Sequence, residues 1–325
     1  MDNIKILAAE SLGVRALCCL VEKDEQRILI DPGISLGYTR QGLLPHPIQI
    51  AADEIIRKNI IKELKEASDL VISHFHGDHI PFAEANVYQI KLSEVKEYLK
   101  GINIWSKSAE DESHKFQERA WNLKFNSTKF TAVEGESFGD ISFSKPVFHG
   151  EKDSFLGRVM MTKIKLQDKV FVHASDIQFL YRPTIKKLIK MKPDLVVASG
   201  PPLYLSHVDQ KMAAEAAENI LLLSSVVETL IIDHHLLRSE GGLTYLRKLN
   251  DKSQNQIISA ADFMGIKPCL LEARREELYD RFSVPAGWHK KYEAGQVDTI
   301  DYLLKAREKL ADFGEFYKFI SDLEK

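Results

Sequence analysis

Residues 73–80 read Ser-His-Phe-His-Gly-Asp-His-Ile, so His74, His76, Asp78 and His79 fall within six positions. Neutral imidazoles and carboxylates are the usual protein ligands of divalent transition metals. In an extended segment, residues two apart face the same side. His74 and His76 are therefore expected to converge on one ion, with Phe75 turned into the core. Gly77 is expected to bend the chain and aim Asp78 and His79 at a second point nearby. Two ions about 3.5–4 Å apart would suit that spacing. A lone histidine is usually an ordinary surface or core group, but that reading does not account for four ligand-type residues in six positions.

Six residues cannot complete two coordination shells. The missing ligands should lie at strand ends, where loops gather. Three residues have that placement: His149 after Pro146-Val147-Phe148, Asp176 shortly after Val170-Phe171-Val172, and His234 after Leu230-Ile231-Ile232-Asp233.

The elements that must position these residues can be read from pattern. Ile4–Ala8, Val14–Val21 and Arg27–Ile30 are apolar and strand-length, and Asp31-Pro32-Gly33 is a turn. Glycines and prolines at 32–50 predict a long loop, and the apolar spacing of Ala52–Ala67 predicts a helix. Asp69–Ile72 reads as a short buried strand before the cluster, and Pro81 suits the first turn of a helix after it. Ser108–Lys124 reads as an exposed amphipathic helix. Phe130–Val133, Ile141–Phe148, Val159–Leu166 and Val170–Val172 form a second set of strands. Helices at Thr184–Met191, Asp209–Leu223 and Gly242–Asn250 interleave with strands at Leu195–Ala198 and Thr229–Ile232. From Cys269 onward the pattern is helical, broken at residues 283–287. Strands followed by interleaved helices argue for sheets covered by helices.

With these residues in place, the chain resembles the metallo-β-lactamase fold superfamily, in order, over residues 1 to about 240. The family's successive motifs match Asp31, His74/His76/Asp78/His79, His149, Asp176 and His234. HxHxDH is the specific motif; the single residues gain weight from their order and strand-end placement. The resemblance implies an α/β fold, an αββα four-layer sandwich, here with extra C-terminal helices. It implies one ion on His74, His76 and His149, a second on Asp78, His79 and His234, and Asp176 bridging them. Asp31 would support the ligand loop. Asp78 and Asp176 would be the catalytic carboxylates. The stretches DPGISLGYTRQGLLPHP, HASDIQ and IIDHHLLR look like an archaeal-type branch for which the resemblance supplies no substrate. Two positions depart from the pattern: Ser175 stands where the family commonly has glycine, and the last motif is doubled as His234-His235. Placement just after the strand favours His234, leaving Asp233 or His235 behind the ligands.

The chemistry this implies is a metal-dependent hydrolase with two divalent ions, zinc first and iron or manganese as alternatives. Its substrate would be a small ester, lactone, thioester or phosphoester. A phosphodiesterase or RNA-processing nuclease is the first alternative, because SHFHGDH is close to the motif of tRNA 3′-processing ribonucleases. Against it, no His-Glu-Ala/Ser-Thr element follows Asp176, and the interval from Asp176 to His234 is too short for an inserted nucleic-acid-gripping domain. The charge of −3 and pI of about 6.4 also disfavour it. An iron-type oxidoreductase or a non-catalytic binding protein of the same fold are further alternatives. The first lacks a flavin domain; the second fits poorly with a complete ligand set.

The 325 residues are expected to form one domain, with residues 263–325 a helical extension packed on it. That extension could cover a sheet edge, lid the pocket or make a homo-oligomer contact. Three cysteines, Cys18, Cys19 and Cys269, form no CxxC or disulfide framework. With no signal-type N-terminus and no membrane-length apolar run, a cytoplasmic protein is expected. The pairs Lys186-Lys187 and Lys290-Lys291 read as solvated faces. Among the other histidines, His207 and its neighbour Tyr204 are candidates for the substrate rim. His46 reads as surface loop or substrate contact, His173 as core or behind the ligands, His289 as cap or packing, and His114 as solvated.

Overall fold

The computed structural model describes residues 2–154 and 156–323, so positions 324–325 of the expected extension lie outside the described residues. The first sheet contains β1 (Asn3–Ala9), β2 (Leu17–Lys23), β3 (Gln26–Ile30), β4 (Asp69–Ile72), β5 (Asn103–Ser106) and β6 (Lys129–Ala132), in that order. The second orders β7 (Ser137–Phe138), β8 (Ile141–Phe143), β11 (Thr162–Lys165), β12 (Val170–His173), β13 (Leu195–Ala198), β14 (Thr229–Ile232) and β15 (Gln256–Ile258) from edge to edge. β9 (Val147–Phe148) and β10 (Arg158–Val159) form a separate two-stranded ribbon. The helices are α1 (Pro47–Glu66), α2 (Leu92–Val95), α3 (His114–Phe125), α4 (Arg182–Lys190), α5 (Gln210–Ser224), α6 (Glu240–Asn250), α7 (Ala260–Phe263), α8 (Arg275–Arg281), α9 (Trp288–Glu293), α10 (Ile300–Lys309) and α11 (Gly314–Leu323).

Alternate faces of the strands supply two different cores, as the period of two requires. In β2, Cys19 and Val21 join Ile28 and Ile30 of β3 against Phe171, Val197 and Ile231, which seals the two sheets together. Cys18 and Leu20 face the other way, onto Ile48, Ile56 and Ile60 of α1. On the far side of the second sheet, Val172, Val196 and Leu230 meet Ile185, Ile220 and Leu246 of α4, α5 and α6. The result is the expected αββα sandwich. Leu278, Trp288, Leu303 and Phe316 of the C-terminal helices, with Phe313 between α10 and α11, pack into the same cluster as α1, thickening the outer layer over the first sheet. Among the described residues no helix is long and apolar enough to cross a membrane.

Several sequence expectations are corrected. The loop expected over 32–50 ends at residue 46, because His46 caps α1. Its side chain accepts from the Ile48 N–H at 3.1 Å, Gln49 returns the bond to the His46 N–H, and Pro47 fills the first turn. No helix starts at Pro81. Residues 80–91 instead form a loop closed by Phe82 N to Ile90 O and Leu92 N to Phe82 O. The strand expected over Ile141–Phe148 breaks between β8 and β9, next to Pro146, and β9 leaves the sheet to carry His149 to the site. The amphipathic helix begins at His114 rather than Ser108. Its Arg119 is buried and donates to the Phe75 carbonyl at 2.7 Å. The three-residue β15 was not anticipated.

Candidate metal centre

β3 and β4 run parallel with Ile30 opposite Val71, and β12, β13 and β14 run parallel with His173, Val197 and Ile231 in line. Their carboxyl ends therefore open at the same edge of the sandwich. Asp31, the 74–79 segment, Asp176 and His234 all follow these ends, and β9 brings in His149. Topology alone gathers every ligand position expected from the sequence.

Asp176 is the hub. Its Oδ2 lies 3.0 Å from His149 Nε2, 3.4 Å from His235 Nε2 and 3.6 Å from His74 Nε2. Its Oδ1 lies 3.2 Å from His79 Nε2 and 3.7 Å from His234 Nε2. His234 Nε2 is in turn 3.4 Å from Asp78 Oδ2. His74, His76, His149 and Asp176 present ligand atoms within 4.8 Å of one another, as do Asp78, His79 and His234. A third such group, Asp176 with His234 and His235, overlaps both. Among the described residues, His74 Nε2, His79 Nε2 and Asp176 Oδ1 are buried with no hydrogen-bond partner. Buried polar atoms are normally satisfied, so three orphaned lone-pair atoms facing one another fit divalent ions held by imidazole and carboxylate.

Asp31 explains how the rings are oriented. Its Oδ1 accepts from the Ser73 N–H at 2.8 Å, and its Oδ2 from the Ser73 and Ser175 hydroxyls at 2.6 and 3.0 Å. His79 Nδ1 lies 3.1 Å from the same Oδ2, and His74 Nδ1 lies 2.9 Å from Ser73 Oγ. Donation from each Nδ1–H leaves the Nε2 lone pair free for an ion, the tautomer a ligating histidine needs. Asp31 also falls within reach of His74 and His79 as a possible ligand group, but its oxygens are already committed to these donors.

The backbone is strained here. Asp31, Ser175 and His234 have φ of 51°, 52° and 32°, in the left-handed region that non-glycine residues rarely occupy. Ser175, at the position where the resemblance expects glycine, thus sits in a conformation that favours glycine, and its hydroxyl donates to Asp31. Gly33 is required by close approach: a Cβ there would lie 2.3 Å from the His79 carbonyl carbon. Gly77 has no positive φ. It belongs to the turn at 77–79, closed by His79 N to His76 O at 3.1 Å, and a side chain on it would meet the Phe82 ring at 2.7 Å.

Burial pushes the Asp176 carboxyl up, but the imidazoles of His79, His235 and His234 and the His149 hydrogen bond outweigh it and hold it well below the carboxylate range. Burial also works upward on Asp31, and His79 reverses it, taking Asp31 down to about 2. Burial, reinforced by neighbouring imidazoles, lowers His74 and His76. Burial and Arg238 take His234 down to about 4. Neutral rings keep their lone pairs for metal. His79 is the exception: with no ion bound, burial pulls it down but the carboxylates of Asp176 and Asp31 hold it well above its usual value, so an ion on Nε2 would replace the proton there.

The centre opens into a cavity of about 210 Å³ lined by His76, Asp78, His149, Gln178, Tyr204, His235 and Arg238, with Leu156, Pro202 and Leu205. A groove of about 590 Å³ beside Lys107, Glu110, Glu112, Glu134 and Arg158 is larger but has no imidazole in its wall. Tyr204 lines this cavity; His207 is exposed and lies outside that lining. His235 also lines it, with Nδ1 3.0 Å from Gln178 Nε2. Asp233 accepts from the N–H groups of Ser11, His234 and Ala260 and so anchors the strand end. His46 is buried as the α1 cap, His173 is buried against the Leu17 carbonyl, and His289 packs against the Pro45 carbonyl. Sequence reasoning missed Arg238 and Gln178. Both lie inside motif stretches, Arg238 one turn past His234 and Gln178 two residues past Asp176.

The architecture is that of the metallo-β-lactamase fold, with a His/Asp constellation at one edge of the sandwich. A model of the metallo-beta-lactamase superfamily matches residues 13–82. A solved structure described as a metal-dependent hydrolase of the beta-lactamase superfamily, Tm1679, shares the fold with a TM-score of 0.50 at 13% identity, covering 79% of this chain and 95% of that one. The chain belongs to the UPF0282 family. It is 45% identical over 303 residues to the UPF0282 protein of Methanosarcina mazei, covering 93% of this chain and 100% of the relative. It is 32% identical to the UPF0282 protein of Pyrococcus horikoshii, covering 87% and 96%.

Proposed function

We propose that the protein is a metal-dependent hydrolase of small molecules, with two divalent ions, zinc first, held by His74, His76 and His149 on one side and by Asp78, His79 and His234 on the other. The observation that carries this reading is the Asp176 carboxylate, which offers one oxygen to each set amid orphaned ligand atoms. Ions bound there would lower the pKa of a water and polarise an ester, thioester or phosphoryl oxygen.

The chain's own residues supply the rest. Asp31 and Ser73 fix the ring orientations of His79 and His74. Gln178, donating to His235 Nδ1, leaves the proton of that ring on Nε2, which faces Asp176 and the cavity. Leu156 and Leu205 supply apolar wall on a substrate entering beside His76 and His149. The remaining expectations, a cytoplasmic location and a small-molecule rather than nucleic-acid substrate, belong to the same proposal.

The test is metal quantification on protein purified without added metal, together with phosphodiester, lactone and thioester substrates. Asp176→Ala and His76→Ala should lose ion loading and turnover. Full activity in either variant would refute the assignment.

A further inference from the structure

We infer that Arg238 and Tyr204 form an anion subsite at the reaction centre itself, and that the substrate is accordingly a phosphoester. The bond-cleaving part rests on the hydrolase reading above; the subsite does not.

Arg238 follows His234 by one turn and is 8% exposed, its guanidinium at the cavity wall. Nη2 lies 2.7 Å from His234 Nε2 and 3.4 Å from Asp78 Oδ2, while Nη1 lies 3.3 Å from the Tyr204 hydroxyl. Burying a guanidinium is costly unless carboxylates pair with it well. Here the pairing is loose. Glu10 approaches Nε only to 3.6 Å, and neither Glu10 oxygen nor Nε makes a hydrogen bond. Glu272, the next carboxylate, is taken by Arg15, Arg40 and the Gly37 N–H. Among the described residues no carboxylate holds Arg238 in the two-pronged geometry that arginine prefers.

The Nη2 contact is also one that metal loading must give up. A neutral imidazole nitrogen has a single lone pair, and an ion on Asp78, His79 and His234 needs the one that Arg238 now shares. The guanidinium then has donors to spare at the cavity wall, beside the Tyr204 hydroxyl. Arg40, 5.5 Å over the Tyr204 ring, adds a second cation behind it.

The position decides the ligand class. A carboxylate used only for recognition would be read at a distance from the reacting atoms, whereas Arg238 touches two of the ligand residues. An ester, lactone or thioester carries one carbonyl oxygen on the reacting carbon, uncharged before attack. A phosphoester carries charged non-bridging oxygens on the reacting phosphorus, and the planar guanidinium matches them. In the hydrolysis, a bond forms between the water oxygen and phosphorus while the bond from phosphorus to the leaving oxygen breaks. The leaving oxygen takes the electron pair and a proton, and the water's other hydrogen stays on the product phosphate. Nothing is oxidised or reduced.

The experiment uses the full chain loaded with metal and inorganic phosphate as the probe, by calorimetry, with ion content measured on the same samples. Wild type should bind phosphate, and Arg238→Gln should bind it at least about tenfold more weakly while retaining its ions. Phosphodiester turnover should fall in parallel. Equal phosphate affinity in wild type and Arg238→Gln would overturn the subsite. Turnover of a lactone or thioester but of no phosphoester would overturn the substrate class while sparing the hydrolase reading. Turnover of nothing would defeat the hydrolase reading and with it the phosphoester assignment, leaving phosphate binding to judge the subsite alone. If Arg238→Gln fails to fold, Tyr204→Phe decides: weakened phosphate binding supports the subsite, and unchanged binding overturns it.

Discussion

His79 is held by Asp31 from behind: its Nδ1 lies 3.1 Å from Asp31 Oδ2, while its Nε2 faces Asp176 Oδ1 at 3.2 Å. The aspartate thus sets which nitrogen is available to an ion. Asp31→Asn keeps the shape but replaces one acceptor oxygen by an amide that donates. Ion affinity, measured by competition with a chromophoric chelator, should fall about 10–100-fold with the far-UV spectrum kept. Wild-type affinity in this variant would mean that the ring is oriented by packing alone.

Gly33 tests the close approach on which the same loop depends. A methyl group there would lie 2.3 Å from the backbone of His79 and of Ile80, and backbone has no rotamer with which to give way. Gly33→Ala should destabilise the protein by about 1–3 kcal/mol or more, read by urea unfolding, and should weaken ion binding. Gly101→Ala is the control: no atom of the described residues lies within 4 Å of its added methyl, and its φ is not positive. Equal stability of the two variants would contradict the packing argument.

The doubled histidine can be resolved by stoichiometry. His234 Nε2 groups with Asp78 and His79, whereas His235 is tied through Nδ1 to Gln178 and lies along the cavity. His234→Ala should lose one ion per chain, and His235→Ala should keep both while losing turnover. Loss of an ion in His235→Ala with none lost in His234→Ala would reverse the assignment.

The residues that gather at the candidate site were legible because each combines a chemically distinctive side chain with a strand-end address, and both are local features. The strands preceding them, such as Thr229–Ile232 and Asp69–Ile72, were legible as short apolar runs bounded by polar residues. Arg238 was not, since an arginine one turn past a histidine normally reads as solvated, and only the tertiary fold turns it toward Asp78. His46 was misread although its signal was present: the prolines around it suggested loop, yet Pro47 followed by Gln49 is also a helix start. The break between β8 and β9 was missed because a continuous apolar run conceals where a strand leaves its sheet. That break is what delivers His149.

Asp53 makes a prediction independent of metal. It lies in α1, fully buried, with neither oxygen hydrogen-bonded among the described residues and Arg57 Nε no nearer than 3.8 Å. Burial raises its carboxyl to about 7 from an ordinary 3.8, with Arg57 opposing and Glu54 adding. Between those two values the folded chain binds more protons at this site than the unfolded chain. Its contribution to stability is therefore fully present below the unfolded value and is lost as pH rises through the folded one. At about 1.4 kcal/mol per unit, the loss is on the order of a few kcal/mol. Asp53→Asn removes the titration and keeps the shape. Unfolding free energies by urea at pH 5 and pH 8 should then show a smaller drop in the variant than in wild type, leaving the variant the more stable at pH 8. Other buried groups titrate alike in both proteins, so the difference between them isolates Asp53. Parallel pH profiles would mean that the carboxyl is not held in its protonated form.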